Sequence, residues 1–553
     1  TWSLISEDLT TNDKEKQRQA ESGGLTMDAT GAENHCSILV IEPSVIEKDV
    51  LWVGTDDGKV QITRNGGNTW KDLSDHIDGL PAGSWIAQIK ASNKNKGEAI
   101  LIANDYRRFN YTPYAYRTKD YGETWNRIVD NNDVKSYTLS IVEDPENANL
   151  LFLGTDDGLY ISINAGENWT KWTAGFPTVS TKDLIIHPRE HDLVIGTFGR
   201  AAWVLDDIRP LRAIARGNIL SKKLHLFTPP TAYQAAYQQP TGSRFGGDAL
   251  YNGENKPYGA IISYYINKTK EKEIKSIQKK KRNKKARIVT VKKERIQEEN
   301  LDSLKLEIFD GDHLIRTLKI KAPKEDGIHK IYWNMDEKGA DRPSRKIRAL
   351  KREPRGVQVK PGIYLLKLSF GNQTSTSEIK VEYDPRLEMP IDAINEIYDT
   401  SKSLEKDQQL IADVVKQLVE SKNIALKFKK EFKKEDQKRY ESQIKASSEI
   451  VKKIDELIAV FIGKEDKRQG ITRNPEVSVY RRYFSAKRYI ESRFGFLTAT
   501  EKQLIDQFKN SLMEAIEQSN DFFENSWKNY KEKVKDIIIS PFKEIKKLLS
   551  EFI

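Results

Sequence analysis

Short apolar runs, broken by polar turn residues, fill the first 212 residues of the chain. The segment LWVGTDDG at residues 51–58 returns as LFLGTDDG at residues 151–158, with the second copy 100 residues on. Such runs bounded by Gly and Asp predict β-strands that end in tight turns. The run Ile100 to Asn104 predicts the opening strand of a further sheet between the two copies, and Leu193 to Asp206 predicts a last sheet.

Residues 213–386 continue the strand pattern. Ser303 to Ile320 predicts a hairpin that turns at Asp310-Gly311-Asp312. Further strands are predicted from Ile328 to Trp333, from Pro361 to Leu368 and from Thr374 to Val381. This part of the chain is therefore expected to form a second, all-β region.

From Pro390 onward the hydrophobic period changes from two residues to about 3.6, the period of an α-helix. One face of the first predicted helix carries Ile391, Ile394, Ile397, Leu404, Ile411, Val414 and Leu418. Later helices are predicted from Ile424 to Ile462, from Val479 to Phe496 and from Thr500 to Ile539, the last with the spacing of a capping box at Thr500 and Gln503. Residues 387–553 are expected to form a helical bundle or an antiparallel coiled-coil pair.

An eight-residue motif recurs three times within the strand region, at residues 63–70, 118–125 and 162–169. Its positions are a hydroxyl (Thr63, Thr118, Ser162), an Asp or Asn (Asn65, Asp120, Asn164), a glycine (Gly67, Gly122, Gly166) and a tryptophan (Trp70, Trp125, Trp169). The Asp or Asn oxygen can accept backbone N–H groups across a hairpin, Gly takes a positive φ, and Trp can bury its ring between sheets. Because two copies carry Asn, which keeps the acceptor without the charge, we interpret the motif as a folding device rather than a catalytic or metal site.

The motif resembles the Asp-box of bacterial neuraminidase-repeat and sortilin-like β-propellers, in which a repeat of about 45 to 55 residues forms one blade. Further marks of this resemblance are Thr30 to Glu33, the two GTDDG turns, Tyr114 to Thr118 and Gly196 to Leu211. The resemblance implies a multidomain chain, mainly β and then α. It implies propeller blades over residues 1–212, an immunoglobulin-like β-sandwich similar to the flagellar hook-capping type over 213–386, and a helical bundle over 387–553.

The first residues of the chain match the end of another box. Thr1 and Trp2 correspond to its last two positions, and Ser3 to Ser6 would be the strand after it. Residues 1–212 then hold four blades and a fraction, and the fraction cannot close a ring by itself. We expect an upstream propeller segment, in the same or another chain, to complete the ring.

Composition limits the classes of protein to consider. The chain has 553 residues with 38% hydrophobic content, enough for several cores. It contains no apolar run near the roughly 18 to 20 residues of a transmembrane span. One cysteine excludes an internal disulfide framework.

The net charge of +10 comes from one segment. Residues 269–296, within the insertion at 269–299, contain 13 Lys or Arg against 3 Glu, a net charge of +10 that equals the charge of the whole chain. We predict an extended loop or hairpin that is either merely solvated or bound to an anionic partner such as lipopolysaccharide, an acidic glycan or an acidic protein. Without interleaved aromatic residues it does not favour nucleic acid.

Turn residues of the predicted blades are the candidates for binding a ligand: Glu33, His35, Asp56, Asp57, Asp105, Arg107, Arg108, Asp156, Asp157 and Arg200. Sialidases that resemble this fold use an arginine cluster with a Tyr and Glu pair, and xyloglucanase-like double propellers use two carboxylates across a cleft. None of the candidates here has a spacing that demands such chemistry. The sequence therefore predicts no catalytic residue, metal or cofactor.

We hypothesise a non-enzymatic bacterial scaffold that is secreted, periplasmic or associated with the outer membrane and binds a protein or glycan within a larger assembly. The alternative is a glycoside hydrolase of sialidase or xyloglucanase type acting across the propeller face. A third hypothesis is a peptide-binding or peptidase-associated accessory protein.

Overall fold

A computed structural model describes residues 2–18, 35–235, 256–268, 303–347, 349, 352–465, 477–535 and 537. The chain divides into two compact units, Thr1–Lys222 and Lys223–Ile553. The predicted binding residue Glu33, with the marks at 30–33, lies outside the described residues, and so does the basic insertion at 269–299.

Four antiparallel sheets make up most of the first unit. Their strands are β1 (Ile38–Pro43), β2 (Leu51–Thr55), β3 (Val60–Thr63) and β4 (Lys71–Asp72); β5 (Trp85–Ala91), β6 (Ala99–Asp105), β7 (Asn110–Thr118) and β8 (Asn126–Arg127); β9 (Thr138–Asp144), β10 (Asn147–Thr155), β11 (Gly158–Ser162) and β12 (Thr170–Lys171); and β13 (Thr181–Ile186), β14 (Leu193–Thr197) and β15 (Ala202–Leu205). Within each sheet the strands lie in chain order. The first strand of each sheet also contacts the first strand of the next.

Apolar side chains between successive sheets form the core of this unit. Trp52 on β2 is almost fully buried and makes an edge contact with Trp125, the box tryptophan of the second sheet, with ring centroids 6.0 Å apart. β6 and β10 lie in the interior, where β6 is buried along its whole length and β10 from Leu150 to Thr155. Burial on both faces explains why these segments are nearly continuous apolar runs rather than alternating ones.

Three details differ from the prediction. The run at Ile100 to Asn104 is the second strand of its sheet, because β5 precedes it with the sequence WIAQIKA. Residues 3–6 are not in a strand, and Trp2 is fully exposed. The last sheet begins at Thr181, earlier than predicted, and has three strands among the described residues. A short helix, α1 (Arg209–Arg216), follows it.

Two sheets of the second unit share one apolar core. Their strands, with a separate two-stranded ribbon, are β16 (Leu224–Leu226), β17 (Ala232–Gln234), β18 (Ala260–Ile266), β19 (Ser303–Asp310), β20 (His313–Lys321), β21 (Gly327–Trp333), β22 (Asp336–Lys338), β23 (Arg355–Gln358), β24 (Gly362–Phe370) and β25 (Gln373–Tyr383). The orders are β16-β18-β21, β17-β25-β24-β19-β20 and β22-β23. The predicted hairpin is present as β19 and β20, turning at Asp310 to Asp312. β20 and β21 are therefore edge strands.

Helices follow from residue 391 onward: α2 (Ile391–Asp436), α3 (Glu441–Ile462), α4 (Val479–Glu491), α5 (Ala499–Asp521) and α6 (Lys528–Val534), with a π-helical segment from Phe522 to Trp527 joining the last two. The predicted boundary at Ile424 was wrong, because α2 continues for 46 residues and the chain turns only after Asp436. No Gly or Pro occurs in α2 to mark its end. None of the described helices combines the length and apolar composition that a membrane crossing requires.

The capping box of α5 lies two residues before the predicted one. Thr498 is the N-cap residue, and the Glu501 carboxylate accepts its backbone N–H at 2.7 Å. Thr500 with Gln503 has the same spacing in sequence, so spacing alone could not distinguish the two threonines.

Candidate functional site

The predicted binding residues of the first unit lie at one edge of its sheets, here called the turn edge. Strand register places them there: Ile38 pairs with Thr55, Trp85 with Asn104, and Thr138 with Thr155. The turn edge is thus where the first strand of each sheet begins and the second strand ends. It carries Asp56, Asp57, Asp105, Arg107, Arg108, Asp156 and Asp157.

In the first GTDDG turn both carboxylates hold neighbouring backbone in place. Asp57 Oδ2 accepts the Thr11 backbone N–H at 2.7 Å and its hydroxyl at 2.6 Å, while the Thr55 hydroxyl donates to Oδ1. Burial alone would raise the pKa of Asp57, but these hydrogen bonds keep the pKa below its ordinary value. Asp56 accepts the Ser37 N–H at 2.7 Å and lies 3.8 Å from His35 Nδ1, and burial raises the pKa of Asp56.

The second GTDDG turn repeats this use of its carboxylates. Asp157 Oδ1 accepts the Thr155 hydroxyl at 2.8 Å, and Oδ2 accepts from Lys171 Nζ at 2.8 Å. Burial, and then a hydrogen bond to Asp156, raise the pKa of the Tyr137 phenol. Each carboxylate of the two turns thus already has a partner within the fold.

Aromatic rings gather between these turns. The short 3₁₀ turn Tyr106–Arg108 joins β6 to β7, and Phe109 ends it in a left-handed conformation with φ of 60°. The Tyr106 ring stacks on Tyr137 with centroids 4.6 Å apart, and Tyr111 lies 6.1 Å from Tyr137. Phe109 is 84% exposed and Tyr111 is 55% exposed.

An arginine completes this surface. The guanidinium carbon of Arg107 lies 3.4 Å from the Trp85 ring centroid and 4.7 Å from the Tyr106 ring centroid. Next to it, Arg108 Nε donates to Asp105 Oδ1 at 2.5 Å, which fixes the turn that presents Arg107. We call the set the aromatic platform: Trp85, Tyr106, Arg107, Phe109, Tyr111 and Tyr137.

Most of the platform was not predicted from the sequence. Of its residues only Arg107 was a candidate. A signal was present in the segment NDYRRFNY at residues 104–111, where aromatic and charged residues mix in a turn. Trp85 comes from the neighbouring strand of the same sheet and Tyr137 from the next sheet, so only the fold brings them together. Arg200 lies at the turn edge of the last sheet but outside the platform, in the exposed turn after β14, where its carbonyl accepts the Trp203 indole N–H at 3.0 Å.

At the opposite ends of the first strands, glutamates line a cavity of about 450 Å³. Glu42, Glu98 and Glu143 are among its walls. Buried Arg117 bridges two of them, with Nη1 at 3.2 Å from Glu98 and Nη2 at 2.9 Å from Glu143. Burial raises the pKa of Glu42 and of Glu143 above the ordinary value. None of these glutamates was a sequence candidate.

The boxes lie between the third and fourth strands of the first three sheets. In the second box Asp120 Oδ1 accepts the Thr124 N–H at 2.9 Å, and the Thr118 hydroxyl accepts the Gly122 N–H at 2.9 Å. The same contacts recur in the other boxes through Asn65 with Thr63 and Asn164 with Ser162. The residue before the glycine also has a positive φ, 59° at both Tyr121 and Ala165. The local pattern did not reveal this second left-handed residue.

Among the described residues, no group of three or more His, Cys, Asp or Glu side chains is arranged to hold a metal ion.

The family model Sortilin-Vps10, described as sortilin, neurotensin receptor 3, matches residues 114–207, from β7 to the turn after β15. The resemblance predicted from the boxes is therefore confirmed: this part of the chain is a sortilin-like β-propeller segment. No curated protein sequence matches the chain.

Solved structures with partial likeness include a GH74 enzyme of Niastella koreensis, 18% identical over 31% of this chain and 28% of that one, with a TM-score of 0.26. The GH74 xyloglucanase of Xanthomonas campestris is 13% identical over 42% of this chain and 35% of that one, with a TM-score of 0.25. YCF48 bound to D1 peptide is 16% identical over 31% of this chain and 50% of that one, with a TM-score of 0.24. The chain thus spans half or less of the length of each.

Proposed function

We propose that the first unit is a non-enzymatic binding scaffold whose aromatic platform engages a protein partner, with a glycan as the other ligand class to be tested. The observation that carries the proposal is the pairing of solvent-exposed rings with a stacked arginine. Trp, Tyr and Arg are the residues that most often dominate protein interfaces, and the rings of Trp and Tyr bury large areas at a low cost in conformational entropy.

The platform is already ordered without a ligand. Stacking against Trp85 and Tyr106 holds the Arg107 guanidinium in one place, which reduces the entropy lost on binding. Phe109 and Tyr111 remain largely exposed beside it. An exposed cluster of large apolar rings is a typical mark of an interaction surface.

The turn-edge carboxylates support binding rather than catalysis. A general acid or base must reach the atom whose proton it transfers. Asp57 and Asp157 instead accept hydrogen bonds from the hydroxyls of their own turns, and Asp105 accepts from Arg108. Their role is to shape the edge from which Arg107 projects.

We also propose that further sheets complete a partial propeller next to the first sheet. The Trp169 indole donates to the carbonyl of Ile128, three residues after the preceding box tryptophan, Trp125. In the same way, the Trp70 indole donates to Ile5, three residues after Trp2. Residues 2–5 thus occupy the position of the last strand of a preceding sheet. Large apolar side chains are exposed on this segment and on β1: Trp2, Leu4, Ile38, Leu39 and Ile41.

The second unit has a supporting role in this proposal, as an immunoglobulin-like sandwich and a helical bundle that dock the propeller into a larger assembly. Its two sheets close over one core that includes buried Trp333 and Leu306. Such a scaffold fits a secreted, periplasmic or outer-membrane-associated bacterial protein.

The platform is tested with Arg107→Ala combined with Tyr111→Ala in the full chain. The partner is first captured from an envelope extract by crosslinking and identified by mass spectrometry, and its affinity is then measured by titration. We expect the double variant to weaken binding by about 30-fold or more, as interface hot spots do. Arg64→Ala is the matched control, because Arg64 lies 3.7 Å over the Tyr121 ring on a box turn. Equal binding by the double variant and the wild type would refute the proposal.

One observation favours the alternative of a glycoside hydrolase. Glu42 and Glu143 line the same cavity and both have a raised pKa, as a general acid requires. The discriminating measurement is release of reducing sugar from xyloglucan and of sialic acid from a sialylated conjugate. We expect no release by the wild type. Turnover that Glu143→Gln abolishes would establish the hydrolase instead.

A further inference from the structure

A wide groove lies on the second unit beside the edge strands β20 and β21. Its volume is about 1070 Å³, and seven of its lining side chains are Lys or Arg whereas two are Asp or Glu. The groove therefore has an excess of five positive charges from described residues alone. Charge of one sign in a concave surface concentrates the field and attracts ligands of the opposite sign.

Six of these seven cations come from four strands. Lys319 and Lys321 are exposed two residues apart on β20, and Lys330 is exposed on β21. Lys338 on β22 pairs in register with Arg355 on β23. Because side chains two residues apart on a strand point to the same face, Lys319 and Lys321 lie together on one face of β20. With Lys330, Lys338 and Arg355, which line the same groove, they form what we call the basic row.

Few carboxylates offset this row. Lys319, Lys321 and Arg355 have no ion pair within the described part of the chain. Glu353 in the groove accepts the Thr317 backbone N–H at 2.9 Å. Elsewhere in this unit lysines do pair, for example Lys402 with Glu337 at 2.9 Å.

A buried arginine forms the floor. Arg316 is 5% exposed and donates to the carbonyls of Glu337 and Pro354. Its Nε has no hydrogen-bond partner, and neither oxygen of buried Asp336, 3.7 Å from that Nε, has one either. These atoms are buried and lie within ion-pair distance of each other, so the pair fixes the floor of the groove rather than facing a ligand.

We propose that this groove binds an acidic polysaccharide. The basic row would contact its repeated anionic groups, and the Tyr332 ring, 44% exposed beside Lys330, would pack on sugar faces. Nucleic acid is disfavoured because its single strands need a succession of aromatic platforms. A simpler role for the lysines on β20 and β21 is to prevent edge-to-edge pairing with the sheet of another molecule. The experiment below distinguishes this protective role from polysaccharide binding.

The experiment titrates fluorescent polygalacturonate with the full chain, comparing wild type with the triple variant K319Q, K321Q and R355Q. The control triple, K427Q, K430Q and K434Q, removes the same charge from exposed positions on α2. The basic insertion at 269–299 is intact in both variants. We expect the groove triple to bind at least tenfold more weakly and the control triple to change affinity less than twofold. Neutral dextran should not bind.

Equal losses in the two triples would show nonspecific charge attraction and overturn the proposal, as would unchanged binding in the groove triple. Tighter binding of a single-stranded oligonucleotide or of polyglutamate would assign the groove to nucleic acid or to an acidic protein instead. If the groove triple aggregates, R352Q with R355Q tests the same groove without altering β20. Unchanged affinity in that pair would mean that the lysines only protect the edge.

Discussion

Arg212→Met is expected to lower the free energy of unfolding of the first unit by about 3–5 kcal/mol, the cost of leaving a buried charge without its partner. Arg212 on α1 is 3% exposed, and Asp144 at the end of β9 is fully buried. The guanidinium donates to the carboxylate through Nε at 2.9 Å and through Nη2 at 2.6 Å. Asp144 also accepts the Glu146 and Asn147 backbone N–H groups, so the same carboxylate shapes the turn into β10.

The measurement is urea unfolding followed by tryptophan fluorescence. Arg216→Met is the control, because Arg216 lies one turn further along α1, is 56% exposed and lies 3.6 Å from the Glu146 carboxylate, which Arg212 also contacts at 2.8 Å. We expect the control to change stability by less than about 1 kcal/mol, as exposed ion pairs do. Adding Asp144→Asn to Arg212→Met should recover part of the loss, since the buried charge is then gone. Equal effects of the two arginine variants would show that this pair does not anchor α1.

The features that the sequence predicted correctly depend on local chemistry. A box is eight consecutive residues whose hydroxyl, amide or carboxylate, and glycine contact one another, so its turn could be inferred without the fold. The hairpin at Asp310 to Asp312 is local in the same sense. Predictions failed where the signal was weak: β5 contains Gln88 and Lys90 among its apolar residues, and α2 ends without a helix-breaking residue.

The candidate site was less predictable because distant residues create it. Asp57 was expected to face a ligand, but it is held by Thr11, 46 residues away. Trp85 reaches Arg107 of the Tyr106 turn only after β5 pairs with β6, and Tyr137 stacks on Tyr106 only after the next sheet has packed against this one. A charged residue on a turn can be recognised from sequence, whereas its partner, and hence its availability to a ligand, depends on packing between sheets.

Gly154→Ala is expected to destabilise the first unit by about 1–3 kcal/mol or more, because the site has no room for an added methyl group. A Cβ on Gly154 would lie 2.6 Å from the Thr181 carbonyl oxygen and 2.2 Å from Ser140 Oγ. Thr181 begins β13, so the conflict is with the backbone of the next sheet, which cannot move without separating the two sheets. Gly54, at the same position of the first sheet, would place its Cβ 2.5 Å from a methyl group of Ile86 on β5.

Gly196 provides the matched control, since it precedes a threonine on the second strand of the last sheet but a Cβ there would have no neighbour nearer than 3.5 Å. Its substitution by Ala should be neutral or stabilising by up to about 1 kcal/mol, because alanine lowers the conformational entropy of the unfolded chain. Ala103 holds the corresponding place on β6 and is fully buried, so a methyl group is compatible with the position when no backbone oxygen opposes it. Urea unfolding should therefore rank the losses as Gly154, then Gly54, then Gly196. A loss of stability at Gly196 as large as that at Gly154 would contradict this explanation. Glycine would then be required at these positions for its backbone conformation, and not because the next sheet approaches closely.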